Sequence, residues 1–64
     1  MNTLLNTRFA GIYVQRENTS KDIQYRLIDD LGTEQFIGRQ YPTEEQISRF
    51  RDRSVKRAEK MMEV

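Results

Sequence analysis

The 64-residue chain predicts an α+β fold, a three-stranded antiparallel β-sheet packed on one C-terminal α-helix in the order β-β-β-α. Three observations predict it. Residues 43–62 repeat apolar side chains at helical spacing, and two earlier segments alternate side chains at the strand period on either side of a DDLG turn. Each of these parts also has a single apolar face, so sheet and helix satisfy each other by packing together.

The elements follow in order. Residues 1–7 are short and polar and read as a loose N-terminal arm. Arg8 to Arg16, RFAGIYVQR, is rich in β-formers, with Ile12 and Val14 on one face and Tyr13 and Gln15 on the other. ENTSKD, residues 17–22, is a polar loop. Ile23 to Asp29 alternates, placing Ile23, Tyr25 and Leu27 inward and Gln24, Arg26 and Ile28 outward. Residues 29–32 form a turn in which Gly32 takes positive φ and the aspartates bond to nearby backbone N–H groups. Thr33 to Tyr41 is the third strand, a hairpin partner of the second, and Gly38 within it marks a bulge or a close backbone approach. The sheet therefore spans residues 8–41 within a single small domain, 1–64.

Pro42 stops that strand and the helix begins at once. Thr43 is the N-cap, and Gln46 three residues later completes a capping box. Glu44 and Glu45 occupy the first turn, where the helix dipole favours negative charge, and Tyr41 or Pro42 is placed to staple onto Ile47. At about 100° per residue, Ile47, Phe50, Ser54, Val55, Ala58, Met61 and Met62 gather on one strip. Arg49, Arg53, Lys56, Arg57 and Lys60 gather opposite, and acidic residues run between. Arg51 projects into the apolar strip, which implies either that the strip is not wholly buried or that the side chain snorkels at its edge.

Composition narrows the function classes. One domain of this size is near the lower limit for folding alone, and the absence of cysteine excludes disulfide support. Dimerisation is therefore one way of completing the core. Without histidine or cysteine the chain lacks the commonest general base, the sulfur nucleophile and the usual zinc ligands, and its three glycines are isolated. The adjacent carboxylates Asp29–Asp30 and Glu44–Glu45 have structural roles at a turn and a helix start. The expectation is a non-enzymatic protein with no cofactor and no metal. No run is apolar enough for a signal peptide or a membrane span, so Met1 reads as the true start of a cytoplasmic protein.

Net charge is +1, but residues 49–60 hold six basic and two acidic residues while residues 1–48 hold five basic and seven acidic. Such a basic helix face is ordinarily a solvated one. The outer sheet face carries Gln, Arg and Tyr on neighbouring strands, the side chains that read base edges and hold phosphates, and β-ribbons enter the major groove. An outer antiparallel face is also polar for purely structural reasons.

The stretch GIYVQR, a polar loop, then IQYRLIDDLGTEQFIGRQYPTEEQISRFRDR resembles the small N-terminal arm-binding domains of phage and conjugative-transposon tyrosine recombinases, the integrases. In that family a strand with a Tyr-x-Tyr or Tyr-Arg-Tyr type run precedes Asp-x-x-Gly, a third strand and a helix. Tyr25, Arg26, Asp29, Gly32, Phe36 and Thr43 match that order, over roughly residues 10–58. The resemblance implies that the open sheet face lies in the major groove of double-stranded DNA. It carries DNA contact onto Tyr13, Gln15, Gln24, Arg26, Gln35 and Arg39, with Arg49, Arg53 and Lys60 as secondary phosphate contacts. The chain departs from the family in its low net charge and in Asp29, Asp30 and Glu34 at the sheet edge, and it contains no recombinase catalytic domain. The alternative is a phage- or plasmid-type protein-interaction or dimeric regulatory module that binds no nucleic acid. Its support is the near-neutral balance, the Met61–Met62 helix end and unpaired sheet edges.

Overall fold

The computed structural model describes residues 2–62. Four strands and a helix follow one another: β1 (Asn2–Asn6), β2 (Ile12–Asn18), β3 (Ile23–Asp29), β4 (Glu34–Gly38) and α1 (Glu44–Met62). The strands form one antiparallel meander in the order β1-β2-β3-β4. The α+β architecture with a C-terminal helix is as expected; the sheet has four strands rather than three.

The additional strand is the expected loose arm. Asn2 to Asn6 pair along their whole length with Glu17 to Tyr13. NTLLN carries weak β-propensity, but Leu5 lies opposite Val14 and packs against the core, so burial supplies what composition does not. Arg8 to Gly11, expected to begin a strand, instead turn the chain between β1 and β2. Thr7 organises this turn. Its hydroxyl accepts from the Phe9 N–H (3.1 Å) and lies 2.8 Å from the Ile12 carbonyl, to which it donates. Gly11 closes the turn at φ +79°, a left-handed conformation that glycine adopts without strain.

The remaining connections are local. Thr19 closes the β2–β3 loop, its hydroxyl accepting from the Asp22 N–H at 2.9 Å. In the β3–β4 turn, Asp29 Oδ1 accepts from the N–H groups of Leu31 (3.0 Å) and Thr33 (2.9 Å), and Gly32 has φ +83°. Of the two readings of Gly38, the structure has the bulge: Arg26 pairs with Phe36 but Tyr25 pairs with Gly38, leaving Ile37 as the extra residue. The strand ends there, before Arg39 to Tyr41, which leave the sheet.

The capping box forms as expected, with the Gln46 N–H donating to Thr43 Oγ1 (3.1 Å) and the Thr43 N–H to Gln46 Oε1 (2.8 Å). Pro42 is buried, while Tyr41 packs edge-on against Tyr25 with centroids 5.7 Å apart. The core is Ile12 and Val14 from β2, Leu27 from β3, and Ile47 and Phe50 from α1. Leu5, Phe9, Tyr25 and Ile37 pack around it, whereas Ile23, also expected inside, is exposed.

Only the first half of the helix's apolar strip is covered. Ile47, Phe50 and Ser54 are buried; Val55, Met61 and Met62 are exposed. The helix runs on past the small sheet. Arg51 lies at the edge of the strip as expected, its guanidinium 4.6 Å from the centroid of the Phe9 ring. Arg8 approaches the same ring at 4.8 Å.

Candidate interface on the open sheet face

The strand register decides which side chains share the face that α1 leaves uncovered. Ile12, Val14 and Leu27 are buried against the helix, so Tyr13, Gln15, Glu17, Gln24, Arg26 and Ile28 point the other way. Leu4 pairs with Gln15, and Phe36 pairs with Arg26. One row across the sheet therefore reads Leu4, Gln15, Arg26, Phe36. The next reads Asn6, Tyr13, Ile28, Glu34, and a shorter one reads Asn2, Glu17, Gln24.

Four of the six side chains expected on this face are there: Tyr13, Gln15, Gln24 and Arg26. Gln35 is not. It pairs with Leu27, so it faces the helix, where Arg53 donates a hydrogen bond to its amide oxygen. Phe36 takes the outward position instead. The β3–β4 turn sets this parity: with Ile28 opposite Glu34, Gln35 falls opposite Leu27, and the bulge lies beyond both. Arg39 lies beyond β4, ion-paired with Asp22 at 3.1 Å.

The electrostatics of the face are set by short-range pairs. Arg26 Nη1 lies 3.1 Å from Glu17 Oε2 and the guanidinium sits 5.8 Å from the Phe36 ring centroid, so this cation is already neutralised and partly stacked. Among the described strand residues of the face, Arg26 is the one cation against two carboxylates, Glu17 and Glu34. The Tyr13 hydroxyl hydrogen-bonds Asp30; that bond, with the adjacent negative charge and slight burial, pushes the phenol pKa above its ordinary 10.0. Leu4 and Phe36 meanwhile stand 60% and 57% exposed at opposite ends of one row.

The cations expected to reach flanking phosphates lie on α1, behind the sheet. Arg49 pairs with Glu45 one turn earlier (2.6 Å), Arg53 is held by Gln35, and Lys60 is exposed in the last turn. None shares the open face. Asp29, expected at the sheet edge as a repeller of phosphate, is instead buried on the helix side, where it organises the β3–β4 turn.

A shallow groove of about 390 Å³ runs along the end of the sheet between Phe9, Leu31, Val55 and Ala58. Among the described residues no group of acidic side chains converges to hold a metal ion. No described helix is long and apolar enough to cross a membrane. Comparison with known proteins finds no match to any family model, curated protein or solved structure.

Proposed function

We propose that this chain is a small, non-enzymatic binding module whose open sheet face docks a protein surface. The observation that carries this is the state of Arg26. A cation that reads DNA must offer its guanidinium to phosphate or base edges. Here it is committed to Glu17 and the Phe36 ring, with Glu34 on the same face. Exposed Leu4 and Phe36, with Tyr13 and Ile28 in the neighbouring row, offer apolar and aromatic contact of the kind enriched at protein interfaces.

Duplex DNA is the second candidate partner, because Tyr13, Gln15, Gln24 and Arg26 do share one face, as in the integrase arm-binding domains that the sequence resembles. A titration of labelled duplex at about 50 and 200 mM salt separates the two, since binding through phosphates weakens steeply with salt. No binding at the lower salt is expected. Salt-sensitive binding that Arg26→Ala abolishes and Arg53→Ala leaves intact would establish DNA recognition by the sheet and remove the protein-docking function.

A further inference from the structure

We infer that the partner of the open sheet face is a second copy of the same chain, packed face to face about a twofold axis parallel to the strands. This rests on the protein-docking function proposed above and names its partner. The support is the order of side chains along each row. An axis running along the strands between β2 and β3 sets every row against its own reverse. Leu4 then meets the second copy's Phe36, and Gln15 meets its Arg26. In the next row Tyr13 meets Ile28 and Asn6 meets Glu34, and in the third Glu17 meets Gln24.

Every one of these pairs is chemically matched. The two ends of the first row are apolar against apolar. The Gln15 amide oxygen accepts from a guanidinium, the Asn6 amide donates to a carboxylate, and the Gln24 amide donates to Glu17. Arg26 also stands diagonal to the second copy's Glu17, extending the ion pair that each chain already makes. Around the axis the Arg26 and Glu17 side chains of both copies form a cluster of two cations and two carboxylates.

The alternative operator, an axis across the strands, matches the face less well. Centred on the first row it places Arg26 against Arg26. Centred between the first two rows it sets Arg26 on Ile28 and Glu34 on Phe36, desolvating Glu34 against a ring; centred between the first and third it sets Leu4 on Asn2 and leaves Tyr13 and Ile28 uncovered. Charge and apolar matching together thus favour the axis along the strands.

The expected strength follows from the size of the patch. Strands about 4.8 Å apart put Leu4 and Phe36 roughly 14 Å from each other, and sheets pack about 10 Å face to face. Three rows cover on the order of 400 Å² per copy, below the range of stable specific interfaces, so the dimer is weak and transient.

Sedimentation equilibrium of the full chain tests the association. Between about 10 µM and 1 mM the average mass should rise from 7.7 kDa toward twice that value. Leu4→Glu and Phe36→Glu should each hold it at the monomer value with unchanged circular dichroism, because both residues are exposed. A monomer at every concentration overturns the inference. If that monomer also binds no duplex, protein docking survives with a different partner; if it binds duplex through Arg26, both proposals fall.

The operator is tested separately, since the chain has no cysteine of its own. Chains carrying Leu4→Cys mixed with chains carrying Phe36→Cys should be joined by a short bismaleimide, while Leu4→Cys alone should crosslink several-fold less. Equal or better crosslinking of Leu4→Cys alone overturns the axis along the strands.

Discussion

Asp29 and Arg57 are 28 residues apart in sequence, and Arg57 Nη2 lies 3.3 Å from Asp29 Oδ2. The Asp29 side chain is 1% exposed, and its other oxygen accepts from the N–H groups of Leu31 and Thr33. One carboxylate thus ties the β3–β4 turn to the helix that crosses it.

Burial alone would push the Asp29 carboxyl pKa up. The hydrogen bonds from the Thr33 N–H, Ser54, Arg57 and the Leu31 N–H together outweigh it and hold the pKa below the ordinary 3.8. A carboxyl with a depressed native pKa contributes stability that is fully present above the unfolded value and is lost as pH falls through the native one. Thermal unfolding should therefore show the Asp29 contribution intact at pH 7 and 5, and declining below about pH 4. Asp29→Asn keeps one acceptor for the turn but loses the charge, so the gap between it and the parent protein should shrink as the pH is lowered through that range. A gap independent of pH would mean that the charge contributes nothing. Asp29→Ala, which also strips the two turn N–H groups of their acceptor, should cost about 2–4 kcal/mol at pH 7.

Gly11 and Asp30 make a second test. Gly11 has φ +79°, and a Cβ there would lie 2.9 Å from Asp30 Oδ2. Gly11→Ala should cost roughly 1–2 kcal/mol in chemical denaturation, chiefly through the left-handed backbone. It should also displace the Asp30 carboxylate from Tyr13, so that one tyrosine titrates at lower pH in ultraviolet absorbance. Gly32→Ala shares the backbone strain (φ +83°) but meets no atom within 4 Å, and should leave the tyrosine titration unchanged.

The helix start should respond to single-atom changes. Thr43→Ala removes the acceptor of the Gln46 N–H and should cost about 1 kcal/mol in urea unfolding; Thr43→Ser should recover most of it. Gln46→Ala, which frees only the Thr43 N–H at an exposed site, should cost less. An effect below about 0.3 kcal/mol for Thr43→Ala would show that the cap is redundant with packing.

The two halves of α1 should differ sharply. Phe50 is 1% exposed and lies in the core, so Phe50→Ala should cost roughly 3–5 kcal/mol, comparable to the whole stability expected of so small a domain. Met61→Gln and Met62→Gln, at residues 70% and 82% exposed, should shift stability by less than about 0.5 kcal/mol. Circular dichroism of the three variants at one temperature suffices: only Phe50→Ala should lose the fold. A large loss from either methionine change would mean that the helix end is covered in solution.

Periodicity and local turn chemistry made much of this protein legible in advance. The second hairpin strand over Ile23–Asp29, the Asp29–Gly32 turn, the Gly38 bulge and the Thr43–Gln46 cap are each encoded within a few residues of sequence. So were the outward positions of Tyr13, Gln15, Gln24 and Arg26, because strand alternation is a strict period of two. β1 was not legible. NTLLN has little β-propensity of its own and becomes a strand because β2 offers it an edge and Val14 offers Leu5 a place to pack. Nor was the side of Gln35, which depends on the register that the β3–β4 turn sets across the hairpin, nor the burial of Asp29, which needs a helix 28 residues away to supply Arg57.

The sequence by itself determined the helix with its cap, two alternating strands, and the turn between β3 and β4. Tertiary structure decided how many strands the sheet has, which half of the apolar helix strip is covered, and what Arg26 does. The physical reason is one of range. Caps, turns and alternation are settled by neighbours within about five residues. Whether a guanidinium faces solvent or rests between Glu17 and Phe36 depends on the register of three strands, and register is a property of the assembled sheet.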